Sequence, residues 1–218
     1  MKKKQKKSLV LGASLVLAFV LWTALVRFVD VRAIGAEGSF VGFAALNGFV
    51  HGLTGVNWIL YTVTDWLGLV PVAVALGFAV LGLMQLIKRK SIVKVDHSIL
   101  ALGVFYIVVI AAYVFFETVI INYRPTLIDG HLEASYPSST TMLVMCVMPT
   151  AAMQLNVRIK STLPRRCAII AIIAFTAFMV IGRLLSGVHW ITDIIGGALL
   201  SAGLVMIYYS AVNTAENR

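Results

Sequence analysis

The sequence predicts an all-α membrane protein in which six transmembrane helices form one bundle. Of its 218 residues, 60% are hydrophobic and only 12% are charged, which is outside the range of soluble globular domains. The apolar residues also form runs close to the roughly 20 residues that a helix needs to cross the hydrocarbon of a bilayer. We therefore expect one membrane-embedded domain over residues 1–218.

Six apolar runs carry the predicted spans. The first follows a lysine-rich start and could be a signal peptide, but it is longer than the roughly 7–15 apolar residues of such a segment, which favours a retained span. The fourth contains Pro149, which predicts a kink. The predicted spans are Ser8–Val26, Leu69–Ile87, Ser98–Ile121, Thr141–Leu155, Cys167–Leu185 and Ile194–Tyr209.

The segment between the first two spans predicts an interfacial helix on the outer surface, because apolar residues recur in it at roughly helical spacing. Trp58, Tyr61 and Trp66 follow this segment, as is typical of the aromatic belt where a span begins. The apolar residues are Phe40, Phe43, Ala44, Phe49, Val50 and Leu53.

The basic residues indicate the orientation. If six spans alternate, most lysines and arginines fall on one side, and the positive-inside rule makes that side of the inner (plasma) membrane cytoplasmic, with both termini inside. The net charge of +9 then reflects topology, and no nucleic-acid partner is expected. The basic residues on this side are the amino-terminal lysines with Lys88, Arg89, Lys90, Lys94, Arg158, Lys160, Arg165, Arg166 and Arg218.

Polar residues collect at the outward ends of the last four predicted spans. They lie in Asn122–Pro125, Tyr136–Thr141 and Gly182–Asp193. Ionisable groups at membrane depth are costly and are usually functional or paired. Their convergence on one face therefore predicts a functional site there.

His189 and Asp193 are four residues apart, so a sixth helix that begins near Gly187 would place both on one face. Asp193 could then fix the tautomer of His189 and leave the other ring nitrogen free as a nucleophile. A lone histidine would more often be structural, but the arginine six residues upstream, Arg183, favours chemistry.

Arg124 and Arg183 offer planar, charged side chains suited to phosphate oxygens. Ser138 and Ser139 lie at a predicted helix start, where hydroxyls and free backbone N–H groups can bind an anion, although a serine there could also be a simple N-cap. No cluster of carboxylates and histidines is spaced to bind a metal on this face, so we expect no metal and no cofactor.

These motifs resemble the three signature motifs of the type-2 phosphatidic acid phosphatase superfamily: Arg124-Pro125, Pro137-Ser138, and Arg183 followed by His189 and Asp193. The six-span layout extends the resemblance over most of the chain. It implies a metal-independent phosphatase in which His189 forms a phosphohistidine and Asp193 orients it. Arg124, Ser138 and Arg183 would bind the phosphate.

Four positions depart from the family pattern. Glu117 replaces a lysine, Ser139 and Thr140 replace the Gly-His of the second motif, and Gly182 replaces a serine, a change that we regard as minor. The missing histidine is the family's general acid, and such acids contribute about 10²–10⁴-fold. A phosphate leaving group, with a pKa near 6, needs little protonation, so a lipid diphosphate, such as a polyprenyl diphosphate, is the expected substrate.

Glu117 lies two helical turns before Arg124, and we favour a buried ion pair between them. Alternatively, Glu117 is a substitute acid, with His131 and Glu133 as weaker candidates.

Two rival functions remain open at this stage. The altered motifs could belong to a protein that binds or transports a phosphorylated lipid, or to a phosphotransferase. Retention of His189 with Asp193 favours the enzyme. In each case the expected partners are a phosphorylated membrane lipid and the bilayer, and no protein partner is implied.

Overall fold

The computed structural model describes residues 3–215, of which residues 5–212 have described side chains; Arg218 lies outside this range. Within these residues the chain folds into eight α-helices, two short 3₁₀ turns and one short β-hairpin. The hairpin strands, β1 (Arg32–Ala33) and β2 (Phe40–Val41), pair antiparallel. The helices are α1 (Lys3–Phe28), α2 (Ala44–Thr54), α3 (Trp58–Leu67), α4 (Leu69–Arg89), α5 (His97–Thr118), α6 (Ser139–Arg158), α7 (Thr162–Leu185) and α8 (Ile191–Ala215).

Six helical stretches within residues 3–215 are long and apolar enough to cross a membrane, which confirms the predicted all-α, six-span architecture. They correspond to α1, α4, α5, α6, α7 and α8, with α3 joined to α4 in one apolar stretch, Trp58–Arg89. The helix α6 continues through Pro149. We call the end of the bundle that carries Arg124, Arg183 and His189 the motif end.

The first and last helices form the most extensive contact in the bundle. Glycines permit this close approach, since a Cβ atom on Gly12 would lie 2.9 Å from the carbonyl oxygen of Gly203. Nearer the motif end, Trp22 Nε1 donates a hydrogen bond to the carbonyl oxygen of Thr192 (3.1 Å). The helix α8 also packs on α5 and α6, and the residues of the core cluster include Phe19, Val26, Leu102, Phe105, Val109, Tyr136, Met142, Cys146, Leu200, Val205 and Tyr208.

The segment predicted to form an interfacial helix does contain a helix, α2, but it begins only at Ala44. Phe40 belongs to β2, and Phe43 precedes the helix with a left-handed backbone conformation. The buried Asn47 side chain donates to Thr192 Oγ1 (3.0 Å) and to the carbonyl oxygen of Gly42 (2.7 Å). The helix α2 is thereby attached to the first turn of α8.

The aromatic segment Trp58–Trp66 forms a helix of its own rather than only a belt. Asn57 caps α3 by accepting a hydrogen bond from the backbone N–H of Leu60 (3.0 Å). A boundary at Gly68 separates α3 from α4, and α3 packs against α7 at the motif end.

Candidate active site

His189 is buried in the short connection between α7 and α8. This connection turns at Gly187, which has a φ of +68°. Residues other than glycine rarely adopt this backbone conformation. A Cβ atom on Gly187 would lie 1.7 Å from the carbonyl oxygen of Gly55. Glycine is therefore required for the turn that presents His189.

Both arginines of the predicted site contact the same ring nitrogen of His189. Nε2 lies 3.1 Å from Arg124 Nη1 and 3.3 Å from Arg183 Nη2. A guanidinium group can only donate hydrogen bonds, so Nε2 must be the unprotonated acceptor. Burial, aided by the charges of Arg124 and Arg183, also holds the pKa of His189 well below its ordinary value. His189 is thus a neutral imidazole whose Nε2 lone pair faces two cations.

Asp193 is fully buried beside the other ring nitrogen. Its Oδ2 lies 3.7 Å from His189 Nδ1 and accepts a hydrogen bond from the backbone N–H of Trp190 (2.9 Å). The expectation that both residues share a helix face is wrong, because α8 begins only at Ile191. Asp193 occupies the N3 position of α8, and its carboxylate accepts from the backbone N–H of the residue before the helix, as in a capping box. This hydrogen bond brings the carboxylate close to His189.

Arg183, in the last turn of α7, is held from the opposite side by α3. Its Nη1 lies 3.5 Å from both Thr64 Oγ1 and Asp65 Oδ1. Its guanidinium carbon lies 5.0 Å from the centre of the Tyr61 ring, within the range of a cation–π contact. These three residues were not among the predicted site residues, because Tyr61 is also typical of a membrane-interface aromatic. Their helical spacing was the available signal.

Gly182 explains how α3 can approach Arg183. A Cβ atom on Gly182 would lie 2.8 Å from Thr64 Cγ2, closer than carbon atoms pack. Glycine at position 182, in place of the family's serine, therefore allows α3 to pack here. The sequence alone made this replacement look minor.

Arg124 lies between α5 and α6, in a segment that pairs with the chain near Ala134. Its Nε lies 3.0 Å from Glu133 Oε2, and its backbone N–H donates to the carbonyl oxygen of Glu133 (3.0 Å). The predicted Glu117–Arg124 ion pair is wrong, since α5 ends at Thr118 and its periodicity does not reach Arg124. Glu133, named as a weak acid candidate, is the ion-pair partner instead.

The side chain of Glu117 is exposed and lines a small cavity together with His189 and Ser139. His131 is also exposed, but it lies in a turn where its backbone pairs with that of Ile128 (2.8 and 3.0 Å). Thus, of the acid candidates, Glu117 shares a cavity with His189.

The serines of the second motif separate into two roles. Ser138 is fully buried and caps α6, with its Oγ accepting a hydrogen bond from the backbone N–H of Thr141 (3.4 Å). Its own N–H donates to the carbonyl oxygen of Asp193 (3.1 Å), which joins the second and third motifs. Ser139 lines the cavity of His189 and also a neighbouring cavity, which Thr140 lines with Asp65.

In the part of the chain that the structure describes, no group of three or more histidine, cysteine, aspartate or glutamate residues is arranged to hold a metal ion.

Comparison with known proteins bears on the family and the fold. The model of the PAP2 superfamily (type-2 phosphatidic acid phosphatase) matches residues 115–217, which include every motif residue from Glu117 to Asp193. The fold is similar to that of a transmembrane PAP2 type phosphatidylglycerolphosphate phosphatase from Bacillus subtilis, with a TM-score of 0.61 and 21% sequence identity over 95% of this chain and 97% of the other. A comparison with curated protein sequences found no match. The family match and the shared fold confirm the resemblance that the motifs predict: this chain is a multi-pass membrane protein with the fold of the PAP2 superfamily phosphatases.

Proposed function

We propose that this protein is a lipid phosphatase in which His189 Nε2 accepts the phosphoryl group. The observation that carries the proposal is the pair of contacts from Arg124 and Arg183 to a neutral, buried imidazole. These guanidinium groups can move their hydrogen bonds from Nε2 to the oxygens of an arriving phosphate. The nitrogen lone pair is then released beside the phosphorus that the arginines hold.

The first step forms the Nε2–P bond and breaks the bond from phosphorus to the leaving oxygen, which takes the electron pair. Nδ1 keeps its proton, and the positive charge that develops on the ring is stabilised by Asp193, whose Oδ2 lies 3.7 Å away. Water then hydrolyses the phosphohistidine. Charge stabilisation comes from the two arginines, so the reaction is expected to proceed without a metal ion.

The favoured substrate is a lipid diphosphate, for example a polyprenyl diphosphate. Thr140, at the position of the family's acidic histidine, has a hydroxyl that is too weakly acidic to act as a general acid at ordinary pH, so an alkoxide would leave slowly. A lipid monophosphate is a much better leaving group, with a second pKa near 6. The apolar residues that line the cavity of Thr140, including Val109, Ile110 and Leu143, are compatible with a lipid chain beside the site.

We further propose that the motif end faces outward across the inner (plasma) membrane and that both termini are cytoplasmic. The support is the positive-inside rule, since the basic clusters lie at the opposite end of the bundle from His189. Single cysteines are introduced at Asp129 and at Lys160 in a chain whose own Cys146 and Cys167 are replaced by serine, and labelling with a membrane-impermeant reagent in intact cells tests this. Labelling at Asp129 alone is expected, and labelling at Lys160 alone would reverse the orientation.

Trapping of the intermediate tests the catalytic proposal. Purified protein is mixed with a lipid diphosphate that carries ³²P on its terminal phosphate and is quenched at short times. We expect an acid-labile protein label on the wild type, and none on His189→Ala. A matched His131→Ala variant, changed at an exposed turn, should retain the label. Phosphate release from wild type and His189→Ala at equal rates would refute the role of His189.

The rival functions have distinct outcomes in the same experiment. A protein that only binds or transports the lipid gives neither label nor inorganic phosphate. A phosphotransferase gives the label but releases phosphate only when an acceptor is added. Matched mono- and diphosphate lipids hydrolysed at equal rates would refute the diphosphate preference.

A further inference from the structure

The cavity of His189 contains a second reactive side chain that the steps described above do not use. It is lined by His189, Glu117, Ser139 and Tyr113 among others, and Glu117 is the one carboxylate in its lining. Its volume is about 10 Å³, which is room for about one water molecule.

Glu117 is available to a water molecule in this cavity. Its side chain is exposed, and among the described residues the carboxylate that pairs with Arg124 is Glu133. Glu117 therefore has no cationic partner within ion-pair distance in the described part of the chain. Its oxygens are free to accept a hydrogen bond from water and then a proton.

Hydrolysis of a phosphohistidine requires a proton acceptor, because the attacking water must lose a proton as its oxygen bonds to phosphorus. The second motif offers only the hydroxyl groups of Ser138, Ser139 and Thr140, which are poor bases at ordinary pH. The first step needs no general acid when the leaving group is a phosphate. The proton-transfer group that the second motif does not supply is therefore needed in the second step, where it must act as a base.

We propose that Glu117 is the general base that activates water to hydrolyse the phosphohistidine, an inference that rests on the proposed function. The water oxygen bonds to phosphorus, and the Nε2–P bond breaks with its electron pair returning to His189. One water proton passes to the Glu117 carboxylate, and inorganic phosphate leaves. Glu117, in the last turn of α5, later gives the proton to water.

The test separates formation of the phosphoenzyme from its breakdown. The full chain, with a ³²P-labelled lipid diphosphate, is followed for both protein-bound label and released phosphate. Glu117→Gln is expected to form the label as fast as wild type but to release phosphate about 10²–10⁴-fold more slowly, so that the label accumulates toward one per chain. Glu117→Asp, which keeps a carboxylate, should recover part of the release rate, and Asp129→Asn, at an exposed turn, should behave as wild type.

Each other outcome overturns the proposal, and the outcomes distinguish a failure of the role of Glu117 from a failure of the phosphohistidine. Unchanged label and unchanged release in Glu117→Gln exclude a role as base while leaving His189 as nucleophile. Loss of label formation in a Glu117→Gln variant that keeps the melting temperature of the wild type places Glu117 in the first step and refutes its role in the second. Phosphate release with no label at any time in either the wild type or Glu117→Gln refutes the phosphohistidine, and the base with it.

Discussion

The guanidinium carbon of Arg183 lies 5.0 Å from the centre of the Tyr61 ring. This contact, with those from Thr64 and Asp65 at 3.5 Å, makes α3 the element that positions one of the two arginines facing His189. A short helix that precedes the second span thus takes part in the candidate site.

Replacement of Tyr61 tests whether its ring holds Arg183. Tyr61→Leu removes the cation–π contact, which is worth about 0.5–2 kcal/mol. We expect KM for the lipid phosphate to rise about 2–30-fold, the corresponding factor at 1.4 kcal/mol per tenfold change. Tyr61→Phe keeps the ring and should stay near wild type. Equal effects of the two substitutions would assign the role to the hydroxyl instead.

The contact between Gly182 and Thr64 predicts a rescue. Gly182→Ser introduces the family's residue, but its Cβ atom would lie 2.8 Å from Thr64 Cγ2, so activity and the melting temperature should fall. Thr64→Ser removes that methyl group and keeps the hydroxyl that faces Arg183. The double variant should therefore recover, with a coupling free energy of about 0.5–3 kcal/mol. Additive effects in a double-mutant cycle would show that the two positions do not meet.

Asp193→Asn tests the control of the His189 tautomer. The amide could still accept from the N–H of Trp190, but it would no longer stabilise a proton and positive charge at Nδ1. We expect kcat to fall about 10²–10⁴-fold, with a smaller effect on KM. The control is Asp129→Asn, which makes the same chemical change at an exposed turn. A loss confined to KM would assign Asp193 to substrate binding.

The lowered pKa of His189 predicts an acid-sensitive fold. In the unfolded chain this histidine takes up a proton near pH 6.5, whereas burial and the two arginines keep it neutral to lower pH in the folded protein. Between these two pKa values the unfolded state binds more protons, so stability falls as the pH decreases below about 6.5. His189→Gln should weaken this pH dependence.

The measurement is the melting temperature in detergent at several pH values between about 5 and 8. The wild type should lose more stability than His189→Gln over the acid part of this range. Parallel curves for the two proteins would contradict a buried, neutral His189.

The spans were predictable because an apolar run of about 20 residues has one stable arrangement in hydrocarbon, a helix with its backbone hydrogen-bonded internally. The ends of those helices were not predictable from apolar length. The third predicted span, α5, ends at Thr118 and not at Ile121, and the sixth, α8, begins at Ile191 and not at Ile194. The start of α8 is set by local backbone events, namely the turn at Gly187 and the cap by Asp193.

The candidate site was predictable where it depended on residue chemistry. Arg124, Arg183, His189 and Asp193 meet in the structure, as their convergence at one end of the spans indicates. Contacts between distant segments were not predictable. Glu133 reaches Arg124 only because the loop between α5 and α6 folds back on itself, and it then takes the place that was predicted for Glu117. The supporting role of α3 likewise depends on its packing against α7, for which one sequence contains no direct signal.

The extensive packing of α1 on α8 has a consequence for biogenesis. The helix α1 enters the membrane first, but the partner that covers it, through Gly12 against Gly203 and Trp22 against Thr192, emerges from the ribosome after every other helix described here. Until then the surface of α1 around Gly12 lacks the helix that covers it in the folded bundle. Because α8 also contains Asp193, a protein truncated before α8 would lack both its bundle closure and the geometry of the candidate site.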